Sequence, residues 1–232
     1  MQARIVRRTG APVQEIVLQV EPDFAFAAGQ YLEILLPNGA RIPLSIASGP
    51  YRLPDVHLHY RSTPGIAEAV LFDELLQTSQ TLDVAGPFGD VRLELPLAGP
   101  ILIAAGGTGA SQALGMLDAL AQAASRGEVP FEVSFLWCAD READLYRRDW
   151  LASLNADWLS TTLIADSRRD RDNRALAWLR AQSARFRDRR IFLCGGPQFV
   201  YAAADALQAG GVPRGQLAAD AFGYAPRPDN SG

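Results

Sequence analysis

The hydrophobic pattern of this chain changes period once, near Gly99-Pro100, and that change constrains the fold more than any other feature. Before it, short apolar runs alternate at 14–20, 31–36, 43–47, 56–61 and 81–85, separated by turns such as Pro37-Asn38-Gly39 and Gly86-Pro87-Phe88-Gly89. Alternation of period two sends successive side chains to opposite faces of a strand, so this half reads as a small barrel or sandwich. Only 66–76 breaks the pattern, with apolar residues at helical spacing.

After Gly99-Pro100 the run 101–105 is continuously apolar, as a parallel strand covered on both faces requires. Further strands are predicted at 131–138, 160–165 and 190–194, interleaved with helices at 111–124, 143–154, 174–182 and 199–209. Strand alternating with helix points to a parallel sheet of Rossmann type. The expectation is two domains, residues 1–98 and 99–232, with a loose tail from Pro226.

Composition narrows the partners. Twenty-two basic residues against 26 acidic ones give a net charge of −4, so no basic field draws the chain to nucleic acid or anionic lipid. Every Lys+Arg residue is arginine, which excludes lysine Schiff-base chemistry. Two cysteines, Cys138 and Cys194, are too few for a disulfide framework or a four-thiolate cluster within these 232 residues. The start, Met-Gln-Ala-Arg-Ile-Val-Arg-Arg, has no apolar core for a signal peptide, and no run has the length of a membrane span. A reducing cytoplasm is the expected setting.

Two glycine turns carry the chemistry of the second half. Ala104-Ala105-Gly106-Gly107-Thr108-Gly109 joins a strand to a helix, where glycine permits a tight turn and lets a pyrophosphate approach backbone N–H groups. It is not the G-x-G-x-x-G fingerprint, because Gln112 takes the third place, and a tight turn needs glycine for steric reasons alone. Phe192-Leu193-Cys194-Gly195-Gly196-Pro197 repeats the arrangement, and both strand ends of a parallel sheet face one crevice. Cys194 serves there either as a small buried hydrophobe or as a wall of a nicotinamide pocket.

With these turns the sequence resembles the ferredoxin–NADP reductase superfamily, and within it the short NAD(P)H:flavin oxidoreductases. Six motifs in order carry the resemblance: Ala28-Gly29-Gln30-Tyr31-Leu32, Pro43-Leu44-Ser45-Ile46-Ala47-Ser48, Gly86-Pro87-Phe88-Gly89, Gly106-Gly107-Thr108-Gly109, Cys194-Gly195-Gly196-Pro197 and Asp220-Ala221-Phe222. The resemblance implies an antiparallel Greek-key β-barrel holding a flavin (FAD, FMN or riboflavin), followed by a Rossmann-like α/β domain holding NADH or NADPH. Hydride then passes from nicotinamide C4 to flavin N5, and no metal is involved. Ser45 matches the serine that hydrogen-bonds near flavin N5, and Cys194 the cysteine of the Cys-Gly motif. Arg41, Pro43, Leu44 and the strand end His59-Tyr60-Arg61 are expected beside the flavin. Gly106, Gly107, Thr108, Gly109, Gly195, Gly196 and Pro197 are expected on the dinucleotide. Phe222 and Tyr224 belong to a C-terminal segment that either covers the flavin ring or forms a loose tail.

The sequence departs from that family at the flavin phosphate. Ile42 and Leu44 stand where most members have an arginine and a stacking aromatic, and Arg41 is one residue early, which turns it to the other face unless a bulge near Pro43 intervenes. Gly65-Ile66-Ala67-Glu68 lacks the expected Ser or Thr, for which Thr63 is a substitute. Loss of one charge-assisted phosphate contact costs roughly 1.5–3 kcal/mol. A flavin bound weakly, as a diffusing substrate, is therefore expected.

Asp140 ends the second strand of the α/β half, where a carboxylate accepts from a ribose 2′-OH and repels a 2′-phosphate, favouring NADH; it is equally placed as a helix cap. Arg141 beside it supports the opposite preference, and Arg168-Arg169 follow the third strand. His57 and His59 share a strand face without a third ligand at metal spacing. The leading expectation is an NAD(P)H-dependent flavin reductase. The alternatives are a reductase component passing electrons to a separate iron–sulfur protein, and a non-catalytic module with a degenerate flavin site.

Overall fold

A computed structural model describes residues 1–10, 13–154, 156–168 and 173–227. Its contacts form two compact units, Met1–Glu94 with Leu114–Arg126, and Leu95–Ala113 with Gly127–Gly232.

The first unit is built on six antiparallel strands: β1 (Gln2–Thr9), β2 (Gln14–Gln19), β3 (Tyr31–Leu35), β4 (Arg41–Ser45), β5 (Asp55–Tyr60) and β6 (Thr81–Phe88). They lie in the Greek-key order β4-β3-β6-β1-β2-β5. The bridge between Ile46 and Leu58 and the bond from Ala47 N to His57 O (2.8 Å) bring the two outer strands together. Helix α1 (Ala67–Thr78) turns Phe72 and Leu76 into a core that holds Ile16, Leu18, Leu32, Ile34, Leu58 and Val84. These are the inward members of the alternating runs, which is why period two becomes a barrel. Strand β1 was not anticipated. It carries Arg4, Arg7 and Arg8, buries Ala3 and half-buries Ile5, and the register shift between Ile5 and Arg7 breaks its alternation after those two residues, so pairing with β2 and β6 holds it.

The second unit contains five parallel strands, β7 (Ile101–Gly106), β8 (Val133–Ala139), β9 (Leu159–Ala165), β10 (Arg190–Cys194) and β11 (Leu217–Ala218), in the order β11-β10-β7-β8-β9. Helices α2 (Ala110–Ala124), α3 (Arg148–Leu154), α4 (Arg174–Gln182), α5 (Pro197–Ala209) and α6 (Ala221–Tyr224) connect or follow them. Helix α2 is divided between the units, its first four residues counted in the second and the rest in the first. The helix expected over 143–154 begins only at Arg148. The backbone leaves helical geometry at Leu145, whose side chain is buried, and Tyr146 sets its ring edge-on to Trp137 at 5.2 Å, so packing overrides the helical pattern there. Among the described residues no helix is long and apolar enough to cross a membrane.

Candidate functional site

In the parallel sheet the chain order reverses between β7 and β10, with β8 and β9 on one side and β11 on the other. Ligands of such sheets bind outside the carboxyl ends of the strands at that switch point. Register pairs Cys194 with Ala105, so the two predicted glycine turns leave the sheet side by side. They touch: a Cβ on Gly109 would lie 2.3 Å from the α-carbon of Gly195. Only glycine allows that approach, and Gly195 itself has a φ of +145°. The indole Nε1 of Trp137 donates to Gly107 O at 3.1 Å and fixes the first turn from behind. Gly107, Thr108 and Gly196 are exposed at the rim, and Pro197 opens α5 in the place where its missing N–H costs nothing.

Beside these turns lies a cleft of about 190 Å³, walled by Gly106, Gly107, Gly196, Phe199, Asp140 and Arg168. Asp140 is exposed at its edge, directly after β8. Arg141 turns away, its guanidinium 3.2 Å from the buried carboxylate of Asp144. Arg168 reaches the cleft but is held by Asp166 at 2.7 Å. The Arg168 guanidinium and the Arg174 N–H hold the Asp166 carboxyl well below the usual range. Arg169 lies outside the described residues. Asn173, which the motif reading missed, caps α4 by accepting from Ala175 N and donates to Arg168 O at 2.7 Å, and it too lines the cleft. Its signal was an Asn just ahead of a helical pattern.

Cys194 is completely buried at the end of β10, and burial, with the Asp220 carboxylate adding to it, pushes its thiol pKa far up. The cysteine that lines the cleft is Cys138. Asp220 accepts from the side chain of Gln112 at 2.7 Å, which ties the C-terminal motif to the first turn of α2. Phe222 packs against Tyr201, 5.5 Å between ring centres, under the Arg214 guanidinium, while Tyr224 is 65% exposed. Of the tail expected to be loose from Pro226, Arg227 pairs with Asp205 at 2.8 Å, and residues 228–232 lie outside the described residues.

On the barrel, β3 pairs with β4 in unbroken register from Tyr31↔Ser45 to Leu35↔Arg41. No bulge at Pro43 therefore brings Arg41 to the face of position 42. Arg41, Pro43 and Ser45 share one face, on which Arg41 forms an ion pair with Glu33 at 2.8 Å, while Ile42 and Leu44 pack partly buried against the barrel core. Ser45 is half-buried at the end of the strand. On β5, His59 is buried and His57 Nδ1 lies 3.2 Å from Glu15. The Tyr60 ring is inside the core, edge-on to Phe72, with its hydroxyl donating to Ala69 O at 3.3 Å; Arg61 follows, half-buried. Among the described residues there is no cluster of three or more His, Cys, Asp or Glu side chains able to hold a metal.

No protein-family model matches the chain. It is 28% identical over 211 residues to the reductase component 2 of terephthalate 1,2-dioxygenase from Comamonas sp., covering 87% of this chain and 60% of that protein. It is also 28% identical over 222 residues to a probable flavin reductase of Vibrio harveyi, covering 90% of this chain and 92% of that one. Among solved structures it is similar to the Amycolatopsis cytochrome P450 reductase GcoB, with a TM-score of 0.78 and 25% identity over 95% of this chain and 69% of that chain. The ferredoxin–NADP⁺ reductase of Plasmodium falciparum has a TM-score of 0.79 at 12% identity, over 94% of both chains, a likeness of fold. The chain thus spans only 60% of the length of the terephthalate dioxygenase reductase components that it matches.

Proposed function

We propose that this chain, a member of the ferredoxin–NADP reductase superfamily, is an NADH-dependent flavin reductase whose flavin is weakly held. The observation that carries the reading is the meeting of the two glycine turns at the switch point of the parallel sheet. Residues 99–232 are assigned to the dinucleotide and residues 1–98 to the flavin. When bound together, the two cofactors supply the chemistry, hydride leaving nicotinamide C4 for flavin N5.

The protein's own residues bind and orient. Backbone N–H groups at Gly107, Thr108 and Gly109, at the start of α2, receive the pyrophosphate in a positive helix-end field. Asp140 at the cleft edge accepts from the adenine-ribose hydroxyl, and with Arg168 neutralised by Asp166 the charge beside it favours NADH. Cys194 floors the turn as a small protonated thiol. Ser45 presents its hydroxyl to the flavin edge, and neither face of β4 carries a phosphate anchor: Arg41, on the Ser45 face, is committed to Glu33, and position 42, on the opposite face, is isoleucine. A site that fits the isoalloxazine without gripping the phosphate releases its flavin.

The sequence likeness to oxygenase reductase components supports a second reading, in which the flavin stays bound and electrons go on to an iron–sulfur protein partner. Spectra of the purified chain, followed by NADH oxidation with and without added riboflavin, FMN or FAD, separate the readings. A colourless protein that turns over only with free flavin is the expected result. A yellow protein that reduces an added iron–sulfur acceptor supports the second reading, and no turnover with any acceptor leaves a degenerate module.

A further inference from the structure

We propose that helix α2 positions the flavin-binding end of β4, through Gly115 and Asp118; the inference rests on the flavin reading above. Asp118 is the only charged residue of α2 and is 6% exposed. Its carboxylate accepts from Gly49 N at 2.8 Å, from the Tyr51 hydroxyl at 2.9 Å and from Nε and Nη2 of Arg52 at 2.7 Å each. All of these donors belong to one turn, the connection that leaves Ser45 on its way to β5. One α2 turn earlier, Gly115 comes so close that a Cβ would stand 2.3 Å from the carbonyl oxygen of Ile46, the residue next to Ser45.

The segment after Ser45 is thus held from two sides. Toward β5, Ala47 N donates to His57 O at 2.8 Å and His57 N donates to Ser48 Oγ at 3.1 Å. Toward α2, the Gly115 contact and the bidentate Arg52–Asp118 pair define its height and direction. Burial works to raise the Asp118 carboxyl, and the Arg52 guanidinium, the Gly49 N–H and the Tyr51 hydroxyl outweigh it, so the group stays ionised. A buried carboxylate is a costly way to stabilise a helix face that leucine would cover equally well. What a planar acceptor with four directed bonds adds is geometric definition of the turn, and Ser45 Oγ needs that definition because orientation of a hydrogen-bonding group tolerates little displacement.

Asp118 and Gly115 are accordingly positioning residues. The test compares wild type, Asp118→Asn and Arg52→Gln by riboflavin fluorescence titration, NADH titration, NADH:riboflavin kinetics and thermal unfolding. Arg52 is the partly exposed partner, so Arg52→Gln is the variant that keeps the test alive if Asp118→Asn does not fold. The expected result is a riboflavin Kd and KM raised about tenfold in Asp118→Asn, and less in Arg52→Gln, with NADH affinity unchanged. Variants that melt earlier but keep the wild-type riboflavin Kd and KM overturn the inference and leave the flavin reading intact. A wild-type chain that neither binds nor reduces riboflavin overturns both.

Discussion

The α-carbon of Gly195 fills the space that a side chain on Gly109 would need, 2.3 Å from the position of its Cβ. Two turns lying 86 residues apart in the sequence are therefore one structural unit: position 109 cannot accept a side chain without moving the second turn, and position 195 is held to glycine by its φ of +145°.

Gly109→Ala is the direct probe of that unit. The Cβ also meets Cys194 O at 2.6 Å, so main chain rather than a flexible side chain has to give way. Overpacking of this kind costs about 1–3 kcal/mol. Urea unfolding should show that loss, and NADH titration should show dinucleotide binding weakened more than tenfold (roughly, from a misplaced turn) while riboflavin affinity is kept. Wild-type NADH affinity in Gly109→Ala would remove the paired turns from the dinucleotide site.

Position 42 tests the missing phosphate anchor. The unbroken register of β3 with β4 puts Ile42 and Leu44 on one face and Arg41 on the other. Arg41→Ala should therefore leave FMN and riboflavin affinities unchanged, since its guanidinium is engaged with Glu33. Ile42→Arg should raise FMN affinity about tenfold over riboflavin, an effect that salt weakens. Equal FMN and riboflavin affinities in Ile42→Arg would place the flavin phosphate elsewhere.

The fold was legible because its two periods are physically distinct: alternating runs became barrel strands, and 174–182 and 190–194 were read to the residue as α4 and β10. Strand β1 was not, because its inward alternation is only Ala3 and Ile5 before the register shift, and pairing on both edges stabilises the rest. Of the candidate site, the positions of the glycine turns and of Asp140 at their strand ends could be read because each follows from local sequence. Asp118 could not: a single acid in the Ala/Leu-rich helix Ala110–Ala124 signals that something buried answers it, but the answering turn at 49–52 lies 66 to 69 residues away. The commitment of Arg41 to Glu33 was likewise invisible, since it depends on cross-strand register.

Ser45 is half-buried at a strand end, where a hydroxyl contributes little to packing. Ser45→Ala should change stability by no more than about 0.5 kcal/mol and lower flavin reduction at least tenfold (roughly, the worth of one directed hydrogen bond at the reacting centre). Stopped-flow reduction under saturating NADH and riboflavin reads the step directly. An unchanged rate would take Ser45 out of the mechanism.

The same turn that Asp118 holds should give the barrel unit two pH limbs. The Asp118 carboxyl lies below the ordinary carboxylate value, so its contribution is present above about pH 4, where the unfolded carboxyl ionises, and is lost as pH falls through the lower folded value. Burial and the neighbouring Asp118 carboxylate push the Tyr51 hydroxyl up to about 12, so its contribution is present below about pH 10 and is lost as pH rises through that folded value. Stability against urea should therefore be highest and flat between these limits as far as this turn is concerned. In Asp118→Asn the neutral-pH stability falls, the deficit narrows on acidification as the wild-type carboxyl takes up its proton, and the Tyr51 limb moves towards ordinary tyrosine behaviour. A deficit of constant size from pH values near neutrality down to the acid transition would mean that the amide disturbs packing and that the charge of Asp118 does not hold the turn.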